Sequence, residues 1–314
     1  MSQQDQKNHQ TGNPINVDIG LDLNWLLQSK PLMSATPDVT LFTTQIASKV
    51  PNTLPANLKT YPAQPAYRLG KHFEDCVEHL FDFWSENNII ERNLIIQTPM
   101  RTVGELDLIY QNSAQQIVHL ELAIKFYLLI KGGTKLTDFI GPAGHDRLDL
   151  KWDRLRHHQL PLSSTTAVFE FLHQQHLPQP THRQLLLTGM LFYAYEKWQI
   201  TTVDGVGVHP DHQRGWWLEH HELAQIKPIE DLERGFIILP KWHWIGGPRH
   251  YSDPQPINHE TLVKLTTADL WPNMVLVYER SHAQHASSTH HTIKPWVFQH
   301  RGLVLATKKP PLVT

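Results

Sequence analysis

The sequence predicts an α/β fold: a core of helices and strands with additions at both ends. Between residues 69 and 195 the spacing of apolar residues is helical, then strand-like in three runs, then helical again, and finally strand-like. The residues that follow are rich in further strand-like runs joined by polar connections. This order is typical of an α/β core that carries a β-rich extension.

The chain divides by composition into three regions. Residues 1–64 are a polar tail and an irregular, proline-bearing lead-in, where LDLNWLLQSK is a candidate for a short helix. Residues 65–200 carry the α/β core, and residues 201–314 form a β-rich extension expected to pack on it. With 314 residues and 40% hydrophobic content, the chain is long enough to bury a sizeable core.

The predicted core begins with a helix and three strands. In LGKHFEDCVEHLFDFWSEN the apolar residues recur at helical spacing, at Phe73, Cys76, Val77, Leu80 and Trp84. NLIIQTP is a short apolar strand, and GELDLI and IVHLELAIKFYL show the alternation of two further strands. The turn-rich QNSAQQ between them is short enough to favour an antiparallel hairpin.

A second helix and a buried strand complete the predicted core. HDRLDLKWDRLRHHQL has an apolar stripe formed by Leu148, Trp152 and Leu155. A parallel basic stripe consists of Arg147, Lys151, Arg154 and His158. The buried strand is RQLLLTGMLFYAY, and the strand-like runs of the extension are RGFIILPKWHWIGG, NMVLVYER and PWVFQHRGLVLA.

Composition limits the classes of function. The net charge of -2 gives no overall field that would draw the protein onto nucleic acid or an anionic membrane, so a polyanion site must be local. The single cysteine, Cys76, excludes an intramolecular disulfide and suits a reducing compartment. With a polar start and no apolar run of transmembrane length, we expect a cytoplasmic protein without a membrane partner. VDGVGVHP and KGGTKLT lack the glycine spacing of dinucleotide and phosphate loops, so we expect no small-molecule cofactor.

The predicted hairpin gathers acidic residues. Even positions from Val118 to Phe126 are apolar, and the opposite face carries His119, Glu121, Ala123, Lys125 and Tyr127. Glu105 and Asp107 share a face of the preceding strand, so aligned faces would bring two or three carboxylates and one lysine together. Carboxylates this close raise one another's pKa unless a cation, such as a divalent metal, offsets them. The alternative is an ordinary solvent-exposed face, where cross-strand pairs contribute roughly 0.2–1 kcal/mol.

Several motifs, in order, carry a family resemblance. LGKHFE, GELDLI, ELAIKFYL, GPAGHDRLDLKWDRLRHHQL and LFYAY together resemble a bacterial family of unknown function assigned to the PD-(D/E)xK nuclease superfamily. The resemblance covers roughly residues 65–310. It implies a restriction-endonuclease-like core, in which a mixed sheet is flanked by helices, with N-terminal and C-terminal elaborations.

The resemblance implies a role for each matching residue. Asp107 corresponds to the metal-binding Asp of the superfamily, and Glu121 corresponds to its metal-binding Glu. Glu74 corresponds to the acidic residue that many members use as a further metal ligand or to orient the site. The E-x-K pattern would place a lysine at position 123, which is Ala123, and the nearest lysine is Lys125. Since the two lysine positions share a face and Lys125 lies about 13 Å along the strand from Glu121, we expect a displaced lysine beside the carboxylates.

The implied activity is metal-assisted hydrolysis of phosphodiester bonds in DNA or, less favoured, in RNA. Asp107 and Glu121 would hold Mg²⁺ or Mn²⁺, and Lys125 would position the attacking water or stabilise developing charge. The residues expected to contact the phosphate backbone are Arg147, Lys151, Arg154 and Gln159.

Two alternatives stay open at this stage. The basic stripe is also typical of an ordinary solvated helix face, on which Asp149 and Asp153 make intrahelical pairs. The protein could also keep a nuclease fold and bind nucleic acid or a protein partner without cutting, because a fold does not establish its chemistry. Ala123 at the expected lysine position favours this second alternative.

Overall fold

The computed structural model describes residues 16–17, 19–42, 61–62, 68–82, 86–133, 135–203, 205–227, 232–250, 253–267, 269, 271–281 and 295–306. The described chain is α/β: a nine-stranded mixed sheet is flanked by helices, and two short strands, Asn16–Val17 and Tyr61–Pro62, form a separate two-stranded sheet. Most of the predicted polar tail, before residue 16, lies outside the described residues.

The elements follow in chain order. They are β1 (Asn16–Val17), α1 (Ile19–Gln28), β2 (Tyr61–Pro62), α2 (Leu69–Asp82), β3 (Asn88–Gln97), β4 (Thr102–Gln111), β5 (Ile117–Leu129), β6 (Phe139–Ile140), α3 (Leu148–Arg154), α4 (Thr166–Gln174), β7 (His182–Ala194), β8 (Arg214–Glu219), β9 (Leu232–Leu239), α5 (His259–Thr267), β10 (Asn273–Ser281) and β11 (Val297–Leu305). A π-helical segment, Leu155–Gln159, continues α3 and leads into one more helical turn, Leu160–Leu162.

The strand order in the large sheet is β3-β4-β5-β7-β8-β11-β10-β9, with β6 also pairing with β5. β3, β4 and β5 are antiparallel neighbours, whereas β5, β7, β8 and β11 run parallel. β10 and β9 add two antiparallel strands at the far edge. The strands of the β-rich extension therefore continue the sheet of the core edge to edge.

One face of the core sheet is covered by α1 and α2. In α2 the buried residues recur every three or four positions, at Phe73, Cys76, Val77 and Leu80, which is the periodicity that predicted this helix. They belong to one hydrophobic cluster with even-numbered residues of β5, including Leu120, Leu122 and Phe126. The apolar face predicted for this strand is therefore confirmed as the side that packs against α2.

The opposite face of the sheet is covered by α3 and α4. Leu148, Trp152 and Leu155, the predicted apolar stripe, are buried against Ala123 and Tyr127 of β5. Val168 and Leu172 of α4 pack against a separate cluster near β3 and β4. No helix in the described part of the chain is long and apolar enough to cross a membrane.

Most predicted elements of the core are present. The hairpin of β4 and β5 is antiparallel, and Asn112 Oδ1 accepts hydrogen bonds from two backbone N–H groups in its turn. The short N-terminal helix is α1, and the buried strand is β7. Trp84, predicted to lie on the first helix, is outside the described residues.

One predicted strand needs correction, and the structure adds elements that were not predicted. KWHWIGG is not part of a strand, because β9 ends at Leu239 and Lys241–Trp244 form a 3₁₀ turn. α4 and α5 were not predicted, although the Thr165 hydroxyl caps α4 by accepting from Val168 N. β8 was not predicted either, since its six residues give too short a run to show alternation.

Candidate functional site

The candidate site lies where β4 and β5 stop pairing. Paired positions between these strands end at Leu108 and Leu120, although both strands continue. Just beyond, Asp107 Oδ2 accepts a hydrogen bond from the backbone N–H of Leu122 at 2.7 Å. A side-chain carboxylate thus replaces a backbone acceptor where the strands separate, and this bond holds Asp107 beside Glu121.

Glu121 is a buried carboxylate with an unsatisfied oxygen. Its Oε1 accepts a hydrogen bond from Gln159 Nε2. Its Oε2 is buried and has no hydrogen-bond partner among the described residues. Burial raises the pKa of Glu121 to about 7, and the positive charge of Lys151 is the largest influence that lowers it. A buried carboxylate of this kind costs free energy unless a proton or a cation accompanies it.

Asp107 and Glu121 are coupled. Burial and then the charge of Glu121 raise the pKa of Asp107 to about 8, against the stabilising hydrogen bond from the Leu122 N–H group. Carboxylates held this close oppose each other's ionisation, so the pair needs a proton or a cation to offset its charge. The structure therefore brings together the two carboxylates that the sequence predicted to meet.

His119 is a further member of this cluster. It is fully buried, its Nδ1 lies 3.2 Å from Ser163 Oγ, and its Nε2 lies 3.7 Å from Glu121 Oε2 without a hydrogen bond. Burial lowers the pKa of His119 to about 4, so the imidazole is neutral. The sequence placed His119 on this strand face but gave it no role, since strand alternation does not show which polar residues become buried together.

Glu74 approaches the cluster from α2. Its negative charge contributes to the raised pKa of Asp107. Glu74 Oε2 accepts hydrogen bonds from Asn93 Nδ2 at 3.1 Å and from Lys71 Nζ at 3.4 Å. Asn93 lies within β3 and has a φ of 50°, a conformation that asparagine adopts more readily than most residues. Glu74 is therefore held near the two carboxylates by polar partners.

Lys125 is on the predicted face, but its ammonium group is paired elsewhere. Its Nζ donates to Asp146 Oδ2 at 2.6 Å, and Asp146 lies in the loop before α3. The two side chains are 32% and 40% exposed. The sequence predicted Lys125 beside Asp107 and Glu121 and gave no sign of Asp146, because strand alternation does not fix where a following loop returns.

The members of the basic stripe have different surroundings. Arg147 donates two hydrogen bonds to Asp149, and Arg154 is exposed to solvent. Lys151 instead faces the protein: its Nζ donates to Gln159 Oε1 at 2.8 Å, and burial lowers its pKa. Of these three basic residues, Arg154 is the one most open to a ligand in solvent, and Lys151 belongs with the acidic cluster.

The π-helical segment explains why Lys151 and Gln159 meet. In a regular α-helix, residues eight apart point about 80° away from each other, whereas residues seven apart nearly align. The backbone N–H of Leu160 bonds to the Leu155 carbonyl, five residues earlier, so the segment absorbs one extra residue. Leu155 and Leu160 both stay buried. Gln159 therefore lies on the face that carries Lys151.

A second group of metal-ligating residues lies between α1 and α2. Atoms of Asp22, His72 and Cys76 lie within 4.8 Å of one another. His72 Nε2 is 2.7 Å from Asp22 Oδ2 and 3.8 Å from Cys76 Sγ, and Asp22 Oδ1 accepts from Gly246 N at 2.6 Å. These bonds join α1, α2 and the turn at Gly246, so they account for the cluster as structural contacts.

The fold and the site define an α/β protein in which a buried glutamate and a half-buried aspartate are paired where two strands of a mixed sheet separate. The model of a family described as "Domain of unknown function (DUF1853)" matches residues 21–293. The chain belongs to this family. No curated protein and no solved structure matches the chain.

Proposed function

We propose that the protein is a metal-dependent nuclease of the PD-(D/E)xK type that hydrolyses phosphodiester bonds in DNA, with RNA as the less favoured substrate. The observation that carries this proposal is the pair formed by Asp107 and Glu121. The two carboxyl groups are held side by side and largely out of water. The nearby positive charges do not offset this burial, so both pKa values are raised. Perturbed groups of this kind concentrate at functional sites.

The order of elements supports the assignment to this superfamily. Apart from the two-residue β6 and the additional helix α4, the elements from α2 to β7 follow the predicted order of helix, three strands, helix and strand. Asp107 lies where β4 leaves its neighbour, and Glu121 lies on the adjacent strand. Glu74 approaches from the first helix of the set. Asp107 and Glu121 thus lie side by side, and Glu74 is near enough for its charge to act on Asp107.

The residues fit a hard divalent cation. Glu121 Oε2 and His119 Nε2 are buried atoms without a hydrogen-bond partner in the described chain, and they lie 3.7 Å apart. Mg²⁺ or Mn²⁺ would be held by Asp107 and Glu121, because these cations prefer carboxylate oxygens. When bound, such an ion polarises the scissile phosphate and makes a water molecule more acidic.

The protein's own groups supply the contacts for a nucleic acid. Arg154 is exposed beside the site, where its guanidinium group can pair with a phosphate. From Lys125 to His158 the chain has seven Lys and Arg and four Asp, in a molecule of net charge -2. This local excess supports a polyanionic substrate. We place the activity in the cytoplasm, where the single cysteine would stay reduced.

A second candidate function is binding of nucleic acid or a protein partner without cleavage. Ala123, at the position where E-x-K nucleases carry lysine, is buried in the hydrophobic cluster of α3. Lys125 is paired with Asp146. If this alternative holds, the two carboxylates are present but the lysine that assists hydrolysis is missing from its usual position. The experiment below separates the two functions.

The test compares the purified protein with Asp107→Asn and Glu121→Gln in Mg²⁺, Mn²⁺ or EDTA, on labelled single- and double-stranded DNA and RNA. We expect metal-dependent cleavage that each substitution lowers at least about 100-fold. Glu105→Gln is the matched control, because Glu105 is an exposed carboxylate on the same strand. Binding without cleavage in every metal would favour the second function, and equal loss in the control would contradict the site.

A further inference from the structure

Glu121 is connected to a lysine through one glutamine. Gln159 Nε2 donates to Glu121 Oε1, and Gln159 Oε1 accepts from Lys151 Nζ at 2.8 Å. The amide of Gln159 thus uses its donor on the carboxylate and its acceptor on the ammonium group. This arrangement fixes the orientation of the amide and holds the Lys151 side chain toward the two carboxylates.

Lys151 and Lys125 both lie near the site, but their positive charges act on different carboxylates. Lys151 exerts the largest favourable electrostatic influence on Glu121 and also acts on Asp107. The positive charge of Lys125 is balanced by Asp146 at 2.6 Å. Of these two ammonium groups, the one on α3 is therefore the cation available to the acidic pair.

The approach of Lys151 depends on where α3 crosses the sheet. α3 packs over the odd-numbered face of β5, the face that carries Glu121 and Ala123. Ala123, the position of lysine in E-x-K, is small, so a side chain from α3 can lie across it. A lysine presented from the helix can thus occupy the space that a strand lysine would fill.

We propose that Lys151 is the catalytic lysine of this site and that Gln159 is a positioning residue that holds it against Glu121. This inference rests on the proposed nuclease function. In the reaction, one water molecule adds across a P–O bond, giving a phosphate monoester and a sugar hydroxyl. The ammonium group of Lys151 stabilises the negative charge that develops on the phosphate oxygens as the water oxygen attacks and the P–O bond breaks.

The test measures the rate of cleavage, kcat, and the affinity for Mn²⁺ in the same variants. Lys151→Met keeps the aliphatic stem and removes the charge. We expect kcat to fall at least about 100-fold and Mn²⁺ to bind several-fold more tightly, because a cation that repels the metal has been removed. Lys151→Arg, which keeps the charge, should recover part of kcat and the original Mn²⁺ affinity.

The matched control is the double variant Arg156→Met, Asp38→Asn, which removes an exposed ion pair of the same helical region without changing the net charge. We expect both kcat and Mn²⁺ affinity to stay within about 3-fold of the original protein, since exposed pairs contribute little. If this control loses as much activity as Lys151→Met, or if Lys151→Met keeps full activity or unchanged Mn²⁺ affinity, the inference is overturned.

The role of Gln159 has its own readout. If Gln159 acts through Lys151, Gln159→Leu lowers kcat in the original protein but causes no further loss in the Lys151→Met background. Additive losses would contradict a positioning role. A complete lack of cleavage by the original protein would overturn the proposed function itself, whereas normal cleavage by Lys151→Met would overturn the lysine assignment alone.

Discussion

At the scale of single residues, Asp107 and Glu121 are the clearest departure from what a stable core requires. Glu121 is buried and Asp107 is half-buried, and each has a raised pKa, chiefly because of its removal from water. Hydrophobic residues of similar volume would stabilise this part of the sheet, because buried ionisable groups without full compensation cost free energy. Retaining two such groups side by side is typical of a site in which function opposes stability.

Gly189 is a residue whose lack of a side chain permits the pairing of β5 with β7. It pairs with Lys125, has a φ of 133°, and a Cβ atom there would lie 1.8 Å from the Lys125 carbonyl oxygen. We therefore expect Gly189→Ala to lower the free energy of unfolding by roughly 3 kcal/mol or more. Urea denaturation followed by circular dichroism measures this change.

The control for this substitution is Gly70→Ala. Gly70 lies on α2, and a Cβ atom there would meet nothing within 4 Å. Alanine should leave the unfolding free energy unchanged or raise it by less than about 1 kcal/mol. Equal effects at the two positions would contradict the strain assigned to Gly189.

His212 is predicted to make stability depend on pH. Its Nδ1 donates to the His209 carbonyl, so its Nε2 accepts from the Tyr193 hydroxyl, and the neutral ring is fully bonded. Burial lowers the pKa of His212 to about 4 from 6.5. Between these values the unfolded chain binds a proton that the folded protein does not, so stability falls as the pH drops from about 6.5 toward 4.

The measurement is the unfolding free energy at pH 7 and pH 5 for the original protein and for His212→Gln. The substitution removes hydrogen bonds, so it lowers stability at both pH values. It should nevertheless reduce the difference between the two by about 1–2 kcal/mol. An unchanged difference would show that His212 does not contribute to the pH dependence.

At the scale of elements, the π-helical segment is the feature that sets the geometry of the site. Buried residues on this helix occur at Leu148, Trp152, Leu155 and Leu160. The first intervals, of four and three residues, suit an α-helix, whereas an interval of five suits a π turn. Because the segment contains one residue more than a regular turn, the helix keeps the same face on the sheet at both ends.

This geometry predicts different results for a deletion and an insertion in the segment. Deleting the exposed His158 should convert it to a regular α-helix, keep Leu160 buried, and change stability by less than about 1 kcal/mol. Inserting one alanine at the same place should rotate Leu160 out of the core and lower stability by about 2–5 kcal/mol. Thermal unfolding of both variants gives the comparison, and equal losses would contradict the single-residue explanation.

At the scale of the whole molecule, the sheet is continuous across the predicted boundary at residue 200. β7 pairs with β8, and the cluster beneath α2 also contains Trp244, Met274, Leu276 and Leu303 from the later part of the chain. The core defined from the sequence therefore shares its buried surface with the extension. Removing the extension would expose one edge of β7 and part of this cluster.

We accordingly expect a chain that ends at residue 200 to lack a cooperative unfolding transition. The full chain should instead lose tryptophan fluorescence, from its 10 Trp residues, and helical circular dichroism in one coincident transition. Two separate transitions in the full chain, or cooperative unfolding of the shortened one, would show that the halves fold independently.

Much of the core was predictable because its signals are local. The spacing of Phe73, Cys76, Val77 and Leu80 repeats every helical turn, and the alternation in β5 repeats every two residues. α5 was missed because its nine residues hold few apolar positions, and the KWHWIGG run was misassigned because its apolar residues are buried through 3₁₀ turns.

By itself, the sequence determined that Asp107 and Glu121 lie on facing strands of one hairpin, because strand alternation and a short turn are enough to fix this. Only the tertiary structure decided which lysine side chain lies beside them. Lys125 pairs with Asp146 from a returning loop, and Lys151 meets Glu121 through Gln159. These contacts join residues distant in the chain, so they depend on where α3 crosses the sheet and on one extra residue in its π turn.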